Sequence, residues 1–271
     1  MDFISLTFLY SAISYYAISL IALIKAIVLF LIFTIVIATV TLIERKVLSL
    51  VQRRVGPNYI GYKGRLQFIA DAVKLLVKHI TVLPAVNRLL FFVVPAFILI
   101  TSYLFWANIV WSPNLAICEI EYNLFFMGVI SGFFSYLLVL VGYLSNSKYA
   151  MMSSARVVVM GLNLEILLNF LLLGLAVLAD SLSFAQLGSL QTGWKCNLLV
   201  FLPILPIVIV TFFLETGRIP FDLAESESEL VAGYTTEYGG FFFALFYLGE
   251  YFHLYCFAAV YCVCLFGAWN I

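Results

Sequence analysis

Charged side chains are scarce in this sequence of 271 residues, and their formal charges cancel. Only 10% of the residues are charged, whereas 65% are hydrophobic. A soluble domain has no use for so much apolar surface, which only lipid or other membrane helices can cover. Because there is no basic excess, we expect no nucleic-acid partner.

The sequence is also poor in the residues that hold metals and redox groups. It contains two histidines, His79 and His253, and none of its five cysteines forms a CxxC pair. No GxGxxG or phosphate-binding loop is present either. We therefore predict that the chain itself holds no zinc, iron–sulfur cluster or nucleotide. Any redox centres would belong to partner proteins.

Short segments of strictly alternating polarity are absent, which argues against a membrane barrel and favours helices. Long apolar runs are frequent, and each is long enough to cross the hydrocarbon core as a helix. They cover residues 12–43, 89–111, 123–145, 155–179, 197–214 and 239–268. The prediction is an all-α membrane bundle of about six transmembrane helices, with residues 1–271 forming a single membrane domain and no removable leader.

The basic residues predict how the bundle is oriented. Nine of the fourteen lysines and arginines lie between Arg45 and Arg88, in the loop after the first apolar run. The positive-inside bias places this loop on the inner side and both chain ends outside. Within the loop, residues 66–80 have apolar side chains on one helical face and Asp71 on the other. We expect this segment to lie along the inner membrane interface.

Half of the acidic residues are concentrated in one part of the chain, residues 215–251. They are Glu215, Asp222, Glu225, Glu227, Glu229, Glu237 and Glu250. Acids close to the membrane are costly and often mark a path for protons, ions or ligands. If the segment is helical, Asp222, Glu225 and Glu229 share one face and raise one another's pKa. A solvated acidic loop is the alternative.

Two acids inside the apolar runs have two interpretations each. Glu165 lies inside the fourth apolar run, and Glu250 lies inside the last one. Each acid is either a proton relay or a hydrogen-bonding group between helices. Basic residues such as Arg45 and Arg54, just after a first helix, usually only set the topology.

Two long segments resemble a known family. They are ERKVLSLVQRRVGPNYIGYKGRLQFIADAVKLLVK at 44–78 and ETGRIPFDLAESESELVAGYTTEY at 215–238. Both are similar to signatures of the quinone-site membrane subunit of respiratory complex I. The spacing of Arg156 and Glu165 also follows the family pattern. Gly217 and the pair Phe241–Phe242 depart from it, which affects loop geometry more than charge.

The resemblance implies a function and a set of site residues. The subunit would form the membrane end of a chamber for ubiquinone, its substrate, and would dock to peripheral-arm and membrane-arm subunits. The iron–sulfur clusters and flavin would belong to partner subunits. The residues implied to line the quinone chamber are Arg45, Arg54, Asp71, Arg218 and Phe221. The residues implied for the proton path are Glu165, Glu215, Asp222, Glu225, Glu227, Glu229 and Glu250. The bias toward Phe, Tyr, Ile and Leu, without a transit peptide, is typical of a protein made inside an AT-rich organelle. We therefore expect the mitochondrial inner membrane rather than a bacterial plasma membrane.

Two other functions remain open at this point. One is the related membrane subunit of a membrane-bound hydrogenase, which needs no quinone chamber. The other is a free-standing secondary transporter, for which internal repeats would be expected. Members of the resembled family usually continue through about two further helices. We expect a second polypeptide to supply those helices, with a simplified six-helix subunit as the alternative.

Overall fold

A computed structural model describes residues 2–80, 86–111, 121–191, 197–218, 221–222 and 232–267, with side chains described from Leu20 onward. Within these ranges the chain forms nine α-helices, two short 3₁₀ helices and no strand. The helices are α1 (Asp2–Val51), α2 (Gln67–Val77), α3 (Arg88–Asn108), α4 (Asn123–Leu144), α5 (Lys148–Ala179), α6 (Phe184–Leu190), α7 (Asn197–Phe201), α8 (Leu205–Glu215) and α9 (Phe241–Phe266). The predicted all-helical membrane bundle is confirmed.

Five helical segments are long and apolar enough to cross a membrane: Leu20–Val51 of α1, and the whole of α3, α4, α5 and α9. The expected crossing at 197–214 is divided into α7 and α8. Pro203 follows α7, and a proline cannot continue the hydrogen bonding of a helix interior. Pro206 lies in the first turn of α8, where its missing N–H costs nothing. The long helices and this divided segment together account for the six apolar runs.

Helix α1 is longer than one membrane crossing requires. Its 50 residues span about 75 Å at 1.5 Å per residue, against a hydrocarbon core of about 30 Å. Lys25 and Arg45 are 20 residues apart, so about 30 Å of helix separates them. Both side chains are exposed. This distance matches the thickness of the hydrocarbon core, so the two charges can lie at opposite membrane interfaces.

Aromatic side chains hold α3 and α9 together. Phe91, Phe105, Phe252 and Phe257 have at most 1% of their surface exposed. Trp106 of α3 donates its indole N–H to the carbonyl oxygen of Phe252 at 2.8 Å, which fixes α3 against α9. Interleaved rings bury large apolar areas at little cost in side-chain entropy, so this part of the bundle is rigid enough to position polar groups.

Helix α2 confirms the predicted amphipathic segment and packs against α1 and α9. The turn before it depends on Gly64, whose φ of +72° suits glycine and disfavours other residues. A Cβ atom at Gly64 would also lie 2.1 Å from the carbonyl oxygen of Pro57. The Lys46 ammonium donates to the carbonyl oxygen of Lys63 at 2.6 Å, and this bond closes the turn over the end of α1.

Helices α4 and α5 form a hairpin whose close approach depends on Gly142. A Cβ atom at this position would lie 2.3 Å from Cβ of Ser154 and 2.7 Å from the carbonyl oxygen of Ala150. We expect Gly142→Ala to destabilise the hairpin by about 1–3 kcal/mol, because overpacking forces the helices apart. The measurement is the amount of assembled complex in membranes. Gly239→Ala is the control, because no described atom lies within 4 Å of its Cβ position; equal assembly of the two variants would contradict the prediction.

Candidate functional site

Four side chains from three distant parts of the sequence form a hydrogen-bonded group, the Glu44 cluster: Glu44, Arg218, Tyr247 and Tyr251. The carboxylate of Glu44 accepts hydrogen bonds from Arg218 Nη1 at 2.9 Å and from the Tyr251 hydroxyl at 2.7 Å. Tyr247 donates to the Tyr251 hydroxyl at 3.1 Å. The Arg218 guanidinium lies 4.9 Å from the centre of the Tyr251 ring. The cluster therefore joins α1, the segment after α8, and α9.

The Glu44 cluster is half-buried, so its ion pair is screened less by salt than a pair on an open surface. The side chains of Arg218 and Glu44 retain 37% and 32% of their exposure. Burial lowers the pKa of Arg218, but the hydrogen bond with Tyr251 and the charge of Glu44 outweigh this and raise the pKa above its ordinary value. Arg218 is therefore a fixed cation, available to an anionic group that approaches the cluster.

A second ion pair lies beside the Glu44 cluster. Arg45 Nη1 donates to Asp71 at 2.5 Å, and Gln67 Nε2 donates to the same carboxylate at 3.0 Å. Since Arg45 belongs to α1 and Asp71 to α2, this pair holds the amphipathic helix against the bundle. Asp71 points away from the apolar stripe, as the sequence predicts, and meets Arg45. Arg45 remains 51% exposed, so its guanidinium is still accessible.

The other two expected chamber residues, Phe221 and Arg54, differ in their contacts with the Glu44 cluster. Phe221 donates its backbone N–H to the carbonyl oxygen of Arg218 at 2.8 Å, so it lies next to the Glu44 cluster. Arg54 is exposed in the turn after α1. Among the described contacts, none joins the Arg54 side chain to the cluster.

Two expected proton-path acids lie together inside the bundle. Glu215, the last residue of α8, has a side chain that is only 7% exposed. It interacts electrostatically with Glu165 of α5. Glu165 accepts a hydrogen bond from Ser135, and Gly132 leaves room for it, since a Cβ atom there would lie 3.2 Å from Glu165 Oε2.

The remaining acids expected on the proton path are partly described by the structure, and those that are described are half-buried. Glu250 of α9 is half-buried and accepts a hydrogen bond from the hydroxyl of Tyr234. Asp222 is half-buried in a non-helical position. Glu225, Glu227 and Glu229 lie outside the described residues. The shared helical face of Asp222, Glu225 and Glu229 therefore stays a prediction.

Several residues of the site were not singled out from sequence. Glu44 opens the first family-like segment, and Tyr247 and Tyr251 are four residues apart on α9, a spacing that places two side chains on one helical face. Such a spacing is common in membrane helices and does not by itself indicate a site. His253 is a histidine inside an apolar run, and from sequence it was considered only as a metal ligand.

An apolar cavity lies elsewhere in the bundle, among α4, α5, α7, α8 and α9. Among the described residues, its lining includes Leu168, Phe201, Val208 and Phe257 and contains no charged side chain. None of the expected chamber residues with a described side chain contributes to it. The polar cluster, rather than this cavity, is therefore the candidate site.

Comparisons with known proteins agree on one family. A family model described as NADH dehydrogenase matches residues 24–271. The chain is 48% identical over 250 residues to NADH-ubiquinone oxidoreductase chain 1 of Paramecium tetraurelia, covering 92% of this chain and 95% of that protein. It is 37% identical to the protein of the same name from Neurospora crassa, over 88% of this chain and 64% of that protein. It is 36% identical to a NADH-quinone oxidoreductase subunit of Vesicomyosocius okutanii, over 94% of this chain and 72% of that protein.

Proposed function

Because this chain belongs to the NADH dehydrogenase family, we propose that it is the membrane subunit of NADH:ubiquinone oxidoreductase that forms the membrane end of the quinone chamber. As part of that enzyme it couples quinone reduction to proton translocation. The Glu44 cluster, with the adjoining Arg45–Asp71 pair, is the observation that carries this proposal. It gathers charged and phenolic groups from four separate parts of the chain at one end of an apolar bundle.

These groups suit the chemistry of quinone reduction. A quinone that accepts electrons develops negative charge on its oxygens, and fixed cations stabilise that charge best where water is scarce. Arg218 is held by Glu44 and Tyr251, whereas Arg45 keeps half of its surface exposed. Ubiquinone is the substrate, and iron–sulfur clusters and flavin in partner subunits deliver the electrons.

The acids inside the bundle are suited to carry the coupled protons. Glu215 and Glu165 are close enough to influence each other's charge, and Glu250 lies on α9, which also carries Tyr251 of the Glu44 cluster. A change of charge at the quinone would therefore alter how strongly these nearby acids bind their protons. Asp222, Glu225, Glu227 and Glu229 would continue this route along the inner side.

The localisation and the partner subunits of the chain follow from the same function. It is a multi-pass protein of the mitochondrial inner membrane, with both chain ends on the intermembrane-space side, as the basic loop after α1 favours. Its inner loops dock to peripheral-arm subunits, and its lipid-exposed helices meet membrane-arm subunits. The second polypeptide expected from sequence stays a prediction.

The two alternatives from sequence make different predictions. A hydrogenase membrane subunit would function without quinone, and a secondary transporter would move a solute as an isolated protein. The names of the three relatives above favour neither. Inhibition of the intact complex by compounds that compete with quinone would contradict both alternatives.

Arg45→Ala and Arg54→Ala test the quinone chamber directly. We expect both variants to lose more of the NADH:quinone rate than of the NADH:ferricyanide rate, because ferricyanide takes electrons upstream of the chamber. The loss should be about tenfold or more for Arg45, since it removes a cation from the site. It should be smaller for Arg54, which no described contact joins to the Glu44 cluster. The measurement is the ratio of the NADH:quinone and NADH:ferricyanide rates in membranes. A proportionate fall of both rates would mean that these arginines serve only topology or assembly.

A further inference from the structure

His253 is a polar residue in an apolar setting. It lies in α9 with 5% of its surface exposed. Its ring stacks on Phe134 of α4 at 4.2 Å between ring centres, and Phe105 of α3 and Phe257 of α9 approach within 4.9 Å and 4.6 Å. Burying a polar group among aromatic rings costs free energy unless the group is hydrogen-bonded. A phenylalanine would fill this space at no such cost.

The imidazole directs one nitrogen at an acid of the proposed proton path. His253 Nε2 lies 3.9 Å from Glu215 Oε1, and the two side chains are only 6% and 7% exposed. Within the described residues this nitrogen has no hydrogen-bond partner. The separation is longer than a hydrogen bond, and a small side-chain rotation would close it. The buried nitrogen is thus placed to exchange a proton with the Glu215 carboxyl group.

The position of His253 along α9 points to a second acid. Glu250 precedes it by three residues, and residues with this spacing are neighbours on a helix surface. Side chains in a helix lean toward its N-terminus, so the His253 ring leans toward the turn that carries Glu250. Glu250 also accepts the hydrogen bond from Tyr234. His253 thus approaches Glu215 of α8 and shares a helix surface with Glu250 by its spacing along α9.

We propose that His253 transfers protons between Glu215 and Glu250, a step that deepens the function proposed above and rests on it. The carboxyl group of Glu215 gives its proton to Nε2, which leaves a carboxylate and an imidazolium. The imidazolium then releases the proton on Nδ1 to the carboxylate of Glu250, and the ring becomes neutral again. No electron moves, and one proton passes from α8 to α9. Histidine suits this step because it accepts on one nitrogen and donates from the other.

His253→Phe and His253→Gln separate proton transfer from packing. The phenylalanine variant keeps a ring between Phe134 and Phe105, and the glutamine variant keeps a polar group that does not titrate. The chain offers a matched control in His79→Gln, because His79 is its other histidine and is exposed after α2. All variants are studied in the intact complex reconstituted into vesicles. The protons pumped per electron are measured beside the NADH:ferricyanide rate.

We expect both His253 variants to lose pumped protons per electron while ferricyanide reduction and the His79→Gln control are unchanged. An unchanged proton ratio in His253→Phe would overturn the proposal and leave His253 as a packing residue. Failure of both variants to assemble would also overturn it, since the role would then be structural. Glu215→Gln distinguishes this result from failure of the acid path. If Glu215→Gln lowers the ratio and His253→Phe does not, only the role of His253 is wrong.

Discussion

Glu215→Gln is expected to abolish most proton pumping by the intact complex while leaving NADH:ferricyanide activity unchanged. The amide is close in shape to the carboxyl group and can still form hydrogen bonds, but it cannot carry a proton. Loss of a positioned acid typically slows a proton transfer by about 10²-fold or more. Glu215 is buried, interacts with Glu165 and faces His253, so no water-exposed group can easily replace it.

The measurement is the number of protons moved per electron in sealed vesicles. Glu121→Gln is the control, because Glu121 is an exposed acid in the segment that precedes α4. An unchanged proton ratio in Glu215→Gln, with normal assembly, would show that the buried acids are hydrogen-bonding groups between helices.

Arg218→Ala is expected to have the second large effect, a fall in quinone reduction accompanied by weaker assembly. The substitution leaves Glu44 without its ion-pair partner in a half-buried position. The cost in stability should be about 1–3 kcal/mol, between the values for exposed and fully buried pairs. It also removes the cation stacked on Tyr251, so quinone reduction should fall by about 10²-fold.

Arg218→Lys separates these two effects. Lysine keeps the charge but lacks the planar guanidinium group, which donates a hydrogen bond to Glu44 and lies over the Tyr251 ring. We expect assembly to recover in this variant more fully than the NADH:quinone rate. Arg65→Ala is the control, because Arg65 lies over the exposed ring of Tyr62 at 5.9 Å, a similar contact outside the site. If Arg65→Ala lowers quinone reduction as much as Arg218→Ala does, the Glu44 cluster has no special role.

The helical architecture could be predicted from sequence because it follows from local rules. A membrane offers no hydrogen bonds to the backbone, so each long apolar run must satisfy its own polar groups as a helix. The amphipathic helix α2 was equally predictable, since its apolar residues recur with helical periodicity. The break between α7 and α8 was not predicted, although Pro203 and Pro206 were visible. A single apolar run does not show whether a proline ends a helix or is accommodated within it.

The residue types of the site were partly visible in the sequence. Arg45, Asp71 and Arg218 were expected in one chamber because of the family resemblance, and the structure brings them to the same end of the bundle. Composition alone favoured a topological role for the arginines. The sequence does not show whether a charged residue at a helix end faces water, lipid headgroups or a buried partner.

The pairings themselves were decided by the tertiary structure. Glu44 and Tyr251 are 207 residues apart, and Glu215 and His253 lie on different helices. Helical periodicity shows which residues share a face, but not which faces meet. That depends on how glycines such as Gly142 and rings such as Phe252 let the helices approach and rotate. The sequence by itself thus determined the helices and the supply of acids and cations, whereas packing determined which of them meet, because such contacts depend on distances of a few ångströms between distant segments.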